Sequence, residues 1–285
     1  MPEGDTIFRT ARTLHRALAG QRVTGFASVL PKLDRVEVDS GVTGRTVEKV
    51  EARGKWILMY FSGDLILLTH MLMSGSWHIY RPGEKWHLRR GDMRLVIHTE
   101  RIDAVGFNVP IADFHTPDTL RRRRVFRQMG PSVLAREFDS GEALRRLRSR
   151  PELLVGEALL SQALLAGIGN VFKSEICFAC GVNPFRIVRS LSISELSCLV
   201  ATARKFLLAN VTDNSGDQIV TYARVRRTTG RKASEENLWV YGRRGEPCRK
   251  CGMAIASRKQ GSDARATFWC ANCQPLAQPA TRHAT

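Results

Sequence analysis

A chain of 285 residues with 43% apolar side chains has the material for a sizeable core and about two domains, which excludes a disordered polyelectrolyte. Lys and Arg total 44 against 27 Asp and Glu, a net charge of +17, and this excess suits a polyanionic partner because each neutralised phosphate releases condensed counterions. No run approaches the roughly 20 apolar residues of a membrane-spanning helix, and no repeat marks a solenoid.

The start, Met1-Pro2-Glu3-Gly4-Asp5, lacks the charged head and apolar run of a secretory signal. The expected setting is therefore a reducing, bacterial-type cytoplasm, without a membrane partner. Seven cysteines are read there as free thiols or metal ligands, not disulfides. Nothing in the pattern suggests a dimer seam, so the expected state is a monomer.

Residues 5–20 set Ile7, Ala11, Leu14 and Leu18 on one helical face, with Gly20 as the stop. From about 22 to 110 the pattern becomes short and strand-like: 23–26, 47–50, 56–61, 65–69, 77–80, 94–98 and 105–109, separated by Gly, Pro, Asp or charged turns. One helix followed by many strands reads as a β-sandwich or barrel-like domain. The run Arg121-Arg122-Arg123-Arg124 and the turn Gly130-Pro131 read as an interdomain connection or an exposed basic face. Helices are expected over 142–148, 156–165, 171–180 and 194–208, a mobile polar loop over 212–237, and a loose tail from Gln274. The fold class is α+β. Its expected parts are a β-rich domain over 1–115, a linker over 116–130, a helical domain over 131–240, a metal module over 241–275 and a flexible tail over 276–285.

Cys248-Arg249-Lys250-Cys251 and Cys270-Ala271-Asn272-Cys273 are two C-x-x-C pairs with eighteen residues between them. Each pair directs two thiolates at one point, and together they complete a tetrahedral zinc site with no open position for catalysis. Cys177 and Cys180 form a third such spacing without a second pair nearby. With Cys198 they allow a cluster, but small buried apolar side chains is the reading preferred.

Four further features carry chemistry only in combination. Gly167-Ile168-Gly169-Asn170 is a tight turn that places Asn170 at a helix N-terminus, either as a cap or beside N–H groups that favour a phosphate. Arg265 stands near a hairpin tip between the cysteine pairs, suited to gripping phosphate or simply exposed. Lys55 follows Arg53-Gly54 and faces solvent or a cleft. Pro2 becomes the first residue once Met1 is removed. Its secondary amine, with a pKa of about 8, can then attack an aldehydic carbon, and Glu3 can move protons beside it.

Taken in order, these pieces resemble the formamidopyrimidine-DNA glycosylase and endonuclease VIII family. Met1-Pro2-Glu3-Gly4 is similar to the family start, Arg53-Gly54-Lys55 to its lysine loop, and 164–170 to its helix–two-turn–helix signature. Residues 241–248 and 265–270 are similar to its zinc finger. The resemblance implies a bifunctional glycosylase and AP lyase of base excision repair, with damaged DNA as partner and one structural zinc. Pro2 would form a Schiff base with C1′, Glu3 would assist ring opening, and Lys55, Asn170 and Arg265 would hold phosphates around a flipped nucleotide. Catalysis would thus rest on Pro2, Glu3, Lys55 and Arg265. DNA contacts would come from Met73, Asn170, Glu175 and Arg265, and metal ligation from Cys248, Cys251, Cys270 and Cys273.

Flipping is required because C1′ cannot be attacked in line inside the stack, and an apolar wedge fills the vacated space. Met73, in 70–75, is the candidate wedge, or else a core methionine. Phe107 is a second wedge candidate. Glu175 matches a recurring carboxylate with either a DNA-facing or a structural role. Two departures matter. Asp5-Thr6 stands where the family often has Pro-Glu, and the region 104–109 lacks the Arg-Arg-Phe-Gly-like segment of the oxidised-guanine branch. The second departure favours the endonuclease VIII branch and oxidised pyrimidines. The alternatives are a non-catalytic zinc-ribbon DNA-binding protein, and a relative acting on oxidised guanine or abasic sites only.

Overall fold

The computed structural model describes residues 2–211 and 238–276. Helix α1 (Gly4–Leu18) buries Ile7, Ala11, Leu14 and Leu18 along one face, as their spacing predicts. Two antiparallel four-stranded sheets follow. One has the order β1 (Val23–Ser28), β6 (Met93–Thr99), β7 (Asp103–Phe107), β5 (Ser76–Tyr80). The other runs β2 (Val47–Arg53), β3 (Trp56–Phe61), β4 (Leu65–His70), β8 (Ile111–His115).

The sheets share one core with α1. Val23, Ile97 and Trp77 from the first sheet meet Ile57, Phe61 and Leu67 from the second. The expected β-sandwich is present. β3 and β4 are apolar on both faces because a further layer covers their outer side: Leu58, Ile66 and Leu68 pack with Leu120 and Phe126. Those two residues lie on short helices α3 (Pro117–Arg122) and α4 (Arg124–Arg127), so the basic connection lies against the sheet. Thr116 caps α3 through a reciprocal capping box with Thr119.

Besides the short helices α3 and α4, which lie in the expected linker, helix α2 (Pro31–Ser40) and strand β8 were not expected from the sequence. Helix α2 fully buries little besides Leu33, too little for a visible period. Edge strand β8 is half-buried at every position, so no alternation marks it. Two boundaries also move. The strand expected over 105–109 is Asp103–Phe107, and the helix expected over 156–165 ends at Leu160, where a turn on the Ser161 carbonyl takes over.

The helical part packs α5 (Ser140–Arg148), α6 (Val155–Leu160), α7 (Asn170–Ala179) and α8 (Ile193–Val211) around Leu147, Leu159, Phe172, Ile176 and Leu199. Cys177 is a buried free thiol as expected, but Cys180 and Cys198 are joined by a disulfide, correcting the free-thiol reading for that pair. The ends of α7 and α8 bring their Cα atoms to 5.9 Å, within bonding reach, and sequence spacing does not encode that approach.

The last unit is a hairpin of β9 (Ala256–Gln260) and β10 (Arg265–Trp269) beside the four metal-spaced cysteines. The expected tail does not begin at Gln274. That side chain is fully buried, accepting from the Cys270 N–H and donating to the Val182 carbonyl. The expected loop at 212–237 and the tail beyond Leu276 lie outside the described residues. Among the described residues no helix is long and apolar enough to cross a membrane.

Candidate active site

The N-terminus docks against the turn that opens α7. The Gly4 N–H donates to the Gly167 carbonyl at 2.8 Å, and a Cβ on Gly4 would lie 2.7 Å from that oxygen, so only glycine permits the approach. Glu3 is fully buried. Its carboxylate accepts from the N–H groups of Val171 (2.8 Å), Gly169 (3.1 Å) and Phe172 (3.3 Å). The sequence leaves that helix terminus either capped by Asn170 or open to a phosphate. Instead its free N–H groups and positive dipole end hold the chain's own Glu3. Pro2 is buried at the same junction. A methyl group on Gly169 would overlap the Glu3 carboxyl group, which explains the second glycine of the turn.

Two hairpins bring cations to this junction. Between β2 and β3, Gly54 takes φ +59° and Lys55 completes a two-residue turn. Gly54 sits against Ala166 and Met129, so the Lys55 turn packs on the loop preceding α7. Between β9 and β10, Arg265 is the first residue of its strand, registered opposite Gln260. Its guanidinium lies 3.6 Å from the Asp263 carboxylate and 3.8 Å from the Met73 sulfur.

Met73 is 60% exposed and Leu72 44% exposed, on the loop between β4 and β5. That loop is therefore an apolar projection and Met73 is not a core residue. Leu72 holds φ +44°, a conformation uncommon for a leucine. Phe107 does not share this position. It is fully buried, edge-on to Trp86 and His78, on the far face of the other sheet, and so is not a wedge.

Asn170 reaches the site, but its Nδ2 donates to the Ala266 carbonyl at 2.8 Å, tying α7 to the hairpin. Glu175 does not face DNA. It is fully buried and accepts from the N–H groups of Trp239, Val240 and Tyr241 at 2.8–2.9 Å, so it anchors the chain that enters the zinc module. Sequence reasoning gave it two roles, and burial with three backbone donors decides for the structural one.

Two residues were missed. His70 closes β4, accepts the Leu72 N–H on Nδ1 at 3.0 Å and meets the Trp56 ring edge-on. Burial and the nearby Lys55 push its pKa down to about 4, so the ring is neutral with its proton on Nε2. A histidine ending an otherwise apolar strand was the available signal. Lys173 is fully buried and donates to the Thr267 hydroxyl at 2.5 Å. Burial pushes its pKa down to about 8. A lysine within an apolar helical run was its signal.

The sulfurs of Cys248, Cys251, Cys270 and Cys273 all lie within 4.8 Å of one another. Cys248 and Cys273 are 3.8 Å apart, Cys251 and Cys270 3.5 Å. A zinc tetrahedron with bonds of about 2.3 Å has edges of about 3.8 Å, so the donor set and its spacing fit that ion. Four thiolates fill the coordination shell, and the metal is structural.

Three family models match in chain order: the formamidopyrimidine-DNA glycosylase N-terminal domain over residues 1–110, its H2TH domain over 129–221, and the zinc finger found in FPG and IleRS over 245–276. A Streptomyces coelicolor protein named probable endonuclease 8 2 is 40% identical, covering 99% of this chain and 96% of its own. A Mycolicibacterium smegmatis protein named DNA-(apurinic or apyrimidinic site) lyase Nei2 is 32% identical, covering 96% and 99%. Among solved structures, the Lactococcus lactis Fpg in complex with abasic-site DNA matches with a TM-score of 0.80 at 22% identity, over 96% of this chain and all of that one. The junction of Pro2 and Glu3 with α7, the two cationic hairpins and the four-thiolate module thus sit on a shared fold, and the chain belongs to the formamidopyrimidine-DNA glycosylase and endonuclease 8 family.

Proposed function

We propose that this protein excises damaged bases from DNA and cuts the strand at the resulting abasic site, with the nitrogen of Pro2 as nucleophile once Met1 is removed. The observation that carries this reading is the docking of Glu3 on the α7 N-terminus, which leaves Pro2 buried at the same junction. The amine attacks C1′, the glycosidic bond breaks and the base departs with a proton. The C1′–O4′ bond then opens as O4′ gains a proton, with Glu3 as the assisting group, leaving an iminium on Pro2. Loss of a C2′ proton drives β-elimination of the 3′ phosphate. δ-Elimination releases the 5′ phosphate, so the strand is cut on both sides.

Lys55 and Arg265 hold the flanking phosphates, joined by the second N–H of the Asn170 amide and by Nε2–H of His70. Met73, with Leu72 beside it, fills the gap left by the flipped nucleotide. Oxidised pyrimidines are the proposed bases, supported by the missing Arg-Arg-Phe-Gly-like segment and by relatives named endonuclease 8. The zinc stiffens the Arg265 hairpin and takes no part in the bond changes. The working form is a monomer in the cytoplasm, with damaged DNA as its partner.

Borohydride trapping on an abasic-site oligonucleotide tests the central claim, comparing the wild type with Pro2→Gly and with a form that keeps Met1. A covalent protein–DNA band from the wild type alone is expected. Tight duplex binding without a trapped band sinks the nucleophile and leaves a silent zinc-ribbon binder. The relative named as an abasic-site lyase makes abasic DNA the first substrate to try, and a lesion panel then separates pyrimidine, guanine and abasic-only action.

A further inference from the structure

Arg265 reaches the junction from a two-stranded hairpin, and such a ribbon is too weak on its own to hold a side chain in place. Zinc secures the cysteine end of that ribbon, away from Arg265. What secures the Arg265 end is α7. Three of its residues at i, i+3 and i+4 meet three successive residues of β10. Asn170 donates to the Ala266 carbonyl at 2.8 Å, Lys173 to the Thr267 hydroxyl at 2.5 Å, and Ser174 accepts from the Phe268 N–H at 3.4 Å.

Lys173 is the centre of this row and does more than its neighbours. Thr267 accepts the lysine proton, so its own hydroxyl proton must go elsewhere: Gln260 Oε1 is the nearer acceptor at 3.0 Å, with the Arg265 carbonyl at 3.4 Å. That fixes the Gln260 amide, whose Nε2 donates to the Pro184 carbonyl at 2.9 Å. Gln260 is the register partner of Arg265. One buried ammonium therefore orders both strands at the rung from which Arg265 projects. The titratable and charged groups facing it are Glu3, Glu157, Arg265 itself and the neutral thiol of Cys177, whose pKa burial pushes up to about 12.

An apolar side chain would fill this space with less desolvation than a buried cation. The lysine therefore contributes direction, not packing. We propose that Lys173 is a positioning residue that holds Arg265 at the phosphate site by locking the zinc hairpin to α7, and this rests on the reading of Arg265 as a phosphate contact.

The test is binding of a duplex carrying a tetrahydrofuran abasic analogue, measured across a salt series for Lys173→Met, Arg265→Ala and the double variant. Lys173→Met is expected to keep its zinc and to melt within about 4 °C of the wild type. It should still bind about tenfold more weakly, with a salt slope shallower by about 0.9, the loss of one phosphate contact. The double variant should bind no more weakly than Arg265→Ala alone, because both remove the same contact. Wild-type affinity and slope in Lys173→Met, or losses that add in the double variant, overturn the proposal. Should Lys173→Met lose zinc, Thr267→Val carries the same test, since it breaks the relay at the hydroxyl while the lysine itself stays in the chain; wild-type binding there overturns it equally. A normal Arg265→Ala overturns the phosphate reading itself, whereas a weakened Arg265→Ala beside a normal Lys173→Met overturns this inference alone.

Discussion

The two hairpins that carry Lys55 and Arg265 are held in place by different physical means. The β2–β3 hairpin carries Lys55 and lies inside a four-stranded sheet. Its Ile57, Leu58 and Met59 are at most 1% exposed, with a core on one face and α3 and α4 on the other. Each such side chain contributes about 1.5–3 kcal/mol by leaving water, so the turn is fixed by apolar burial. The β9–β10 hairpin carries Arg265 and has no sheet around it. Its local core is small, chiefly Phe178, Val240 and Ile255 with the cysteines. Four thiolates and a row of buried polar contacts to α7 stand in for the missing layers. A chain can hold a cation at a fixed height either way, but the second way makes the site depend on a metal and on individual donors.

The largest expected effect follows from that dependence. Cys251→Ser removes a ligand from the shell, and structural zinc supplies about 10–16 kcal/mol of apparent binding energy to modules of this kind. Zinc content should fall well below one per chain, and the trapped abasic product should drop by about a hundredfold or more. Amide exchange should show β10 unprotected while β3 stays protected. Loss of protection in both strands would break the comparison, because it would make the sandwich depend on the metal as well.

This division also explains what the sequence discloses. Features fixed by local spacing are legible: the α1 stripe, the apolar runs of β3 and β4, and above all the two C-x-x-C pairs. Features fixed by what another part of the chain supplies are not. Asn170 reads as a phosphate-binding cap because the residue occupying that helix terminus, Glu3, lies far away in sequence. Gln274 reads as tail because its partners, Val182 and Asn183, belong to another unit. Cys180 and Cys198 read as separate thiols because two helix ends bring them together. Phe107 sits beside a family motif but faces the outer side of its sheet, and a strand buried at every position shows no alternation that would disclose it. Lys173 looks like a mid-helix lysine until Thr267 is placed beside it.

A smaller effect sharpens the comparison at the turns. Gly54 has φ +59°, and a Cβ there would meet Ala166 at 3.3 Å and Met129 at 3.4 Å. Gly261 has φ +73°, but its Cβ would find only Glu157 at an ordinary 3.5 Å. Alanine at either position carries the left-handed penalty of about 1–2 kcal/mol. At Gly54 it also crowds the packing that fixes the first hairpin. Gly54→Ala should therefore lower the urea midpoint more than Gly261→Ala and weaken phosphate binding through Lys55. Equal midpoints would mean that the first hairpin is not set by close packing after all.

The smallest effect is one of pH, and it separates the hairpins by their titrating groups. His70 packs on Trp56 at the base of the Lys55 hairpin, while β9 and β10 contain no histidine. Burial first, then Lys55, depresses its folded pKa from 6.5 to about 4. Between those values the unfolded chain binds a proton that the folded chain refuses, so stability is complete above about pH 6.5 and falls as pH drops toward 4. His70→Gln keeps an amide donor and removes the titration, so its stability should fall less steeply over that window. DNA affinity between pH 7 and 8 should be unaffected by ring protonation, because His70 is neutral throughout. An unchanged acid slope in His70→Gln would show that the ring is not the acid-sensitive point of the first hairpin. The fall would then belong to carboxylates elsewhere, and pH would no longer tell the two hairpins apart.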